Sequence, residues 1–132
     1  MSFDENGKNI YENNKSQWNA LHLLCENSKA KNMHEIIKYL IEKGINVNSK
    51  TSGGWNVLHL LCKNYQGEDL EEIVKLLMLK KINVAAKTND GNWNALQLLC
   101  RYYKGDKLKN VSHLFISQQE LHKRRKSQWN TN

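Results

Sequence analysis

Trp18, Trp55, Trp93 and Trp129 fall 37, 38 and 36 residues apart, and the first three open one recurring phrase. It reads WNALHLLC from Trp18 to Cys25, WNVLHLLC from Trp55 to Cys62 and WNALQLLC from Trp93 to Cys100. Self-similarity at a fixed period of this length constrains the fold more than any other feature. A unit this short cannot bury its apolar face alone, so neighbouring units must stack into one continuous core.

Each phrase is followed by a polar stretch (Glu26 to Asn32, Lys63 to Asp69, Arg101 to Lys107) and then by a second apolar-periodic segment. These second segments run Met33 to Gly44, Leu70 to Lys81 and Leu108 to Gln119. Helical spacing places Ile36, Ile37, Leu40 and Ile41 on one face, and Ile73, Val74, Leu77 and Met78 on another. The unit is therefore helix, loop, helix, with Gly44 as a helix stop. Between a second helix and the next tryptophan lie Gly44 to Gly54 and Lys81 to Asn92, short extended runs that end in turn residues. Ser52-Gly53-Gly54 and Asn89-Asp90-Gly91 can supply the positive φ angles of a projecting hairpin-like loop.

The three phrase cysteines, Cys25, Cys62 and Cys100, are odd in number and lack any paired ligand spacing, which argues against disulfides and zinc. They are expected to be small buried apolar side chains. No apolar run approaches the roughly 20 residues that span a bilayer, and the first residues contain no signal-peptide core. No membrane partner is expected, and the expected location is cytoplasmic or nuclear. The formal charge is +7, but Lys123, Arg124, Arg125 and Lys126 supply four of the 20 basic residues, leaving 16 against 13 acidic ones. A chain with 17 lysines, 18 asparagines and no proline reads as compositionally biased, so nucleic acid is the less favoured partner.

These residues resemble the ankyrin repeats. The family's turn glycine and first-helix opening correspond to Gly54-Trp55-Asn56-Val57-Leu58-His59-Leu60-Leu61. Its second helix corresponds to Ile73-Val74-Lys75-Leu76-Leu77-Met78, and its lead into the next hairpin to Gly44-Ile45-Asn46-Val47-Asn48-Ser49. Asparagine stands where the family has threonine, and alanine or valine where it has proline. About four extra residues between the helices lengthen the period to near 37. The resemblance implies an all-α solenoid of stacked helix-loop-helix units with projecting hairpin loops. The expected division is a partial repeat at 1–16, repeats at 17–53, 54–91 and 92–127, and the start of a further repeat at 128–132.

The resemblance also implies a non-catalytic scaffold or adaptor for protein–protein interaction, with no catalytic residues, metal or cofactor. His22 and His59 would be structural, hydrogen-bonding near the hairpin backbone, and Gln97 could bond similarly. Partner-binding candidates are Ser52, Gly53, Trp55, Lys63 and Asn64 in one unit and Asn89, Asp90, Trp93, Arg101 and Tyr102 in the next. Trp18 and its counterparts are weighed first as packing residues, because side chains identical in every unit serve stacking better than recognition. The interhelical loops 28–31, 66–69 and 105–107 offer varied side chains to a partner. The alternative reading is a nucleic-acid-associated or nuclear-imported protein that uses Lys123 to Lys126, a run expected at the next hairpin's tip. Val111, Leu114, Phe115 and Ile116 offer no polar cap, so self-association through the C-terminal end is also expected.

Overall fold

In the computed structural model, residues 17–27 and 29–130 are described, with side chains to residue 125. The expected partial repeat at 1–16, residues 131–132 and the side chains of Lys126 and Trp129 lie outside that description. Six helices and no strand occur among the described residues: α1 (Ala20–Asn27), α2 (Met33–Glu42), α3 (Val57–Asn64), α4 (Leu70–Leu79), α5 (Ala95–Tyr102) and α6 (Leu108–Asn130). The first helices α1, α3 and α5 stack in one layer, and α2, α4 and α6 in the other. The expected all-α solenoid of helix pairs is what forms.

Each first helix starts at the same place for the same reason. Asn56 is extended, with φ −100° and ψ 179°, and its side chain accepts the His59 backbone N–H at 3.1 Å. In return the His59 Nδ1 accepts the Asn56 backbone N–H at 2.9 Å. Asn19 with His22 and Asn94 with Gln97 repeat this reciprocal cap, so two of the four orphan amides of each helix start are satisfied within four residues. The asparagine after each tryptophan is therefore an N-cap residue, chemically close to the threonine it replaces.

The second helices end in a shared hydrogen-bond pattern. Gly44 N–H donates to Ile41 C=O at 3.0 Å and Ile45 N–H to Leu40 C=O at 3.2 Å; Lys81 and Ile82 do the same to Met78 and Leu77. Gly44 (φ 101°) and Lys81 (φ 66°) occupy the left-handed position that this Schellman geometry requires. Ile45 and Ile82 then turn into the core. Thr51 and Thr88, both buried, close the hairpins: Thr51 N–H donates to Trp55 C=O and Thr88 N–H to Trp93 C=O, each at 2.9 Å. Asparagine stitches neighbouring hairpins together. Asn48 accepts the Asn83 backbone N–H at 2.8 Å and donates to Lys81 C=O at 3.1 Å, while Asn89 donates through its backbone to Gly53 C=O at 2.8 Å.

The core is one cluster running the length of the stack, with Leu21, Ile37, Leu58, Leu61, Leu70, Ile73, Leu77, Leu99, Val111 and Phe115 essentially inaccessible to solvent. Its last two members correct an expectation. Val111 and Phe115 are covered, Leu114 is half-buried, and of the four residues named as an uncapped end only Ile116 is exposed. Three of those four side chains turn into α6's contacts with α4 and α5 instead of facing the open end.

A second correction concerns α6 itself. The helix does not stop at Gln119 but continues to Asn130, so Lys123, Arg124, Arg125 and Lys126 lie along a helix and not at a hairpin tip. Gln119 stands where Gly44 and Lys81 end the other second helices, and Glu120-Leu121-His122 replaces the Ile-Asn-Val lead into a hairpin. Lys81 ends α4 without being glycine because the isoleucine that follows it turns into the core; α6 has Glu120 at that place, and glutamine and glutamate propagate a helix.

Candidate functional site

The hairpins and first helices present the three tryptophans along one face. Trp18, Trp55 and Trp93 are each half-buried and lean on the core cluster. Trp18 meets the edge of His22 with ring centroids 5.9 Å apart, and Trp55 meets His59 at 5.7 Å, both nearly perpendicular. This edge-to-face geometry follows from spacing, because residues four apart on a helix start share a face. Each histidine in turn reaches the following hairpin. His22 Nε2 donates to Ser49 C=O at 2.9 Å, and His59 Nε2 to Ala86 C=O at 2.8 Å.

An imidazole that accepts through Nδ1 and donates through Nε2 is neutral. Burial holds both His22 and His59 below the ordinary imidazole value, with the backbone carbonyls only partly offsetting it. These two residues are held as structural links between cap, tryptophan and hairpin. Gln97 supplies the cap half of this arrangement, its Oε1 accepting from Asn94 N–H at 2.9 Å, and is exposed.

The cations come next. Lys63 Nζ lies 5.2 Å from the Trp55 ring centroid and 5.8 Å from that of Tyr102. The Arg101 guanidinium lies 5.9 Å from the Trp93 ring and 5.6 Å from the Tyr102 ring. Side chains on α3 and α5 thus alternate with those of the tryptophans just before them in the order Trp55, Lys63, Tyr102, Arg101, Trp93. The Trp55 indole N–H donates to Asp90 at 3.2 Å, and Trp18, Glu26, Trp55, Leu60, Lys63, Asn64 and Asp90 line one shallow groove. Of the sequence candidates, Trp55, Lys63, Asn64 and Asp90 meet in that groove, and Trp93, Arg101 and Tyr102 extend it. Ser52, Gly53 and Asn89 belong instead to the hairpin tips, where Asn89 Nδ2 donates to Ser52 C=O at 3.1 Å.

The interhelical loops differ from a set of free side chains. Tyr65 is buried, lies over Gly67 and donates its hydroxyl to Asp69; burial, then that carboxylate, raises its phenol well above the ordinary value. Tyr103 lies over Gly105 in the same way and accepts the Lys107 N–H at 3.3 Å. Asp69 also accepts the His34 N–H of the preceding unit at 3.3 Å, an acceptor at the start of α2 that Asn32 does not supply. Gln66 bonds both Tyr102 C=O and Lys104 N–H. Gln66 and Asp69 are therefore fastened to neighbouring units and Lys107 to Tyr103 of its own loop, and Ser28 lies outside the described residues. Sequence reasoning missed Tyr65 and Tyr103, and offered Asp69 to a partner where it is bonded to Tyr65 and to the His34 N–H. The recurring Tyr-x-Gly spacing was their available signal.

The cysteines divide. Cys25 and Cys62 are fully buried, and burial pushes their thiols far above the ordinary range. Cys100, expected to be buried like them, is exposed. The first helices α1 and α3 each have a following first helix stacked on them, α3 and α5 respectively, whereas no described first helix follows α5. A thiol reagent is accordingly expected to label one cysteine in the folded chain and all three in denaturant; rapid labelling of more than one before unfolding would contradict this burial. No helix among the described residues is long and apolar enough to cross a membrane.

The family model for ankyrin repeats (3 copies) matches residues 2–88 and again 30–125. No curated protein sequence matches the chain.

Proposed function

Because the chain belongs to the ankyrin repeat family, whose members generally mediate protein–protein interaction, we propose that it is a non-catalytic scaffold or adaptor whose partner docks along the tryptophan face. The observation that carries this reading is the row of half-buried rings interleaved with Lys63, Arg101 and Tyr102. Tryptophan, tyrosine and arginine offer large contact areas at low cost in side-chain entropy and dominate interface energetics. Each tryptophan does two things in this reading: one side packs on the core, and the remaining surface forms the floor of the groove.

The test is affinity capture with three forms of the chain: intact, Trp93→Ala combined with Arg101→Ala, and alanine at Lys123, Arg124, Arg125 and Lys126. A protein partner held at about 0.5 M salt, where exposed charges are largely screened, should be kept by the intact chain and the basic-run variant. The face variant should lose it while its far-UV circular dichroism is unchanged. Retention by the face variant would place docking elsewhere. Nucleic acid recovered only by the intact chain at low salt would transfer the function to the basic run.

A further inference from the structure

We propose that the docked segment is an acidic peptide whose carboxylates lie between Lys63 and Arg101, an inference that rests on the protein-docking reading above. The residue eight positions after each tryptophan is Glu26, Lys63 and Arg101 in turn, although the phrases around it are nearly identical. Variation at a fixed register on an otherwise repeated face is where selectivity for a partner can be written.

The geometry gives that register a sign. Two cations lie within 6 Å of the single Tyr102 ring, Lys63 at 5.8 Å and Arg101 at 5.6 Å, and each is backed by its own tryptophan. Neither forms an ion pair among the described residues, where the pair found is Lys75 with Glu71. The rings hold the cations in place but return only about 0.5–1 kcal/mol for each exposed contact. They leave both cations without an ion-pair partner among the described residues and close together, so an incoming carboxylate gains from both at once.

The acids of the face argue for a peptide over a nucleic acid. Glu26 and Asp90 line the same groove as Trp18, Trp55 and Lys63, and Arg101 lies outside it. A continuous phosphate backbone would run over them, whereas a peptide can place its acids at Lys63 and Arg101 and neutral residues beside Glu26 and Asp90. This polarity also orients the segment, with its acidic end toward Arg101.

The experiment selects random dodecapeptides displayed on phage against the full chain and against Lys63→Glu combined with Arg101→Glu. The selected peptides are then synthesised and their affinity read by fluorescence anisotropy. Both substituted residues are exposed; a Lys63→Gln, Arg101→Gln form serves in its place should the reversed form show an altered far-UV spectrum. Peptides rich in Asp and Glu are expected, with affinity lowered at least about tenfold by the charge change. Replacing their acids by Asn and Gln should lower affinity by a similar factor. Selected peptides with no acidic bias, lost on Trp93→Ala, would overturn the inference while leaving protein docking intact. Selection of no peptide would overturn it as well, with the capture result deciding protein docking separately. Equal competition by an oligothymidylate at about 0.15 M salt would show a general polyanion surface and also overturn it.

Discussion

Alanine at position 59 is expected to lower the stability of the chain by about 4 kcal/mol, measured by urea unfolding. His59 is fully buried, accepts from Asn56 N–H, donates to Ala86 C=O and supports the Trp55 ring. Its loss leaves two buried backbone groups unpaired, at about 1–3 kcal/mol each, and a cavity beside them. Domains of this size are stable by only about 5–15 kcal/mol, so such a change brings the chain near unfolding. His59→Gln should cost much less, since Gln97 shows that glutamine closes the same cap. Equal losses for both variants would mean that the ring's volume matters and its bonds do not.

The same bonds set a pH dependence. Both buried imidazoles are neutral in the fold and held below their ordinary value, so at acid pH the unfolded chain binds more protons than the folded one. Stability therefore falls as pH drops through about 6.5, the unfolded imidazole value, and goes on falling until the lower folded values are passed. The thermal midpoint should decline from pH 7 to pH 5, and His59→Gln should shallow that decline. A midpoint flat across this interval would show that neither ring is held below its unfolded value.

Gly54→Ala is the second large effect, expected to cost about 3 kcal/mol. Gly54 has φ 81°, a left-handed conformation that alone costs a side chain about 1–2 kcal/mol. A Cβ there would also come within 2.6 Å of Asn89 Oδ1 and 3.1 Å of its backbone nitrogen. The following hairpin would have to withdraw, with loss of the Asn89 bonds to Gly53 and Ser52. Gln17 (φ 63°) and Asn92 (φ 55°) occupy the equivalent position without glycine. Asn92→Ala, with no described hairpin stacked on it, should cost only about 1 kcal/mol. If the two substitutions cost the same in urea unfolding, backbone strain alone explains the effect and contact between hairpins adds nothing.

Much of the fold was legible because it is written three times. The period and the alternation of helix and loop could be read from identical residues at near-identical spacing, the stop at Gly44 from glycine's own chemistry, and the structural histidines from the resemblance to ankyrin repeats. Features that depend on one unit meeting another were not. Cys100 repeats Cys25 and Cys62 in sequence but differs in burial, because burial belongs to the neighbour that stacks on it. The length of α6 goes with Glu120-Leu121-His122 standing where the earlier units have their Ile-Asn-Val lead, a departure that the repeat pattern itself concealed. Trp55, Lys63, Arg101 and Tyr102 could be named as surface residues, yet the sharing of the Tyr102 ring by two cations joins side chains 39 residues apart and appears only once α3 and α5 are stacked.

The position of α3 between α1 and α5 has a kinetic consequence. All residues from Val57 to Cys62 are buried, whereas the outer helix α1 leaves Leu23 half exposed and α5 leaves Gln97 and Cys100 open to solvent. In a linear array each unit is held by its nearest neighbours, so among the described residues the middle pair has two interfaces and each outer pair has one. The molecule should come apart from its ends inward, with the amides of α3 the last to exchange with solvent. A ligand lying across Trp18, Trp55 and Trp93 would clamp both outer pairs to the middle one. Occupancy of the face would then also slow the opening of α2 and α6, which carry none of the face's residues.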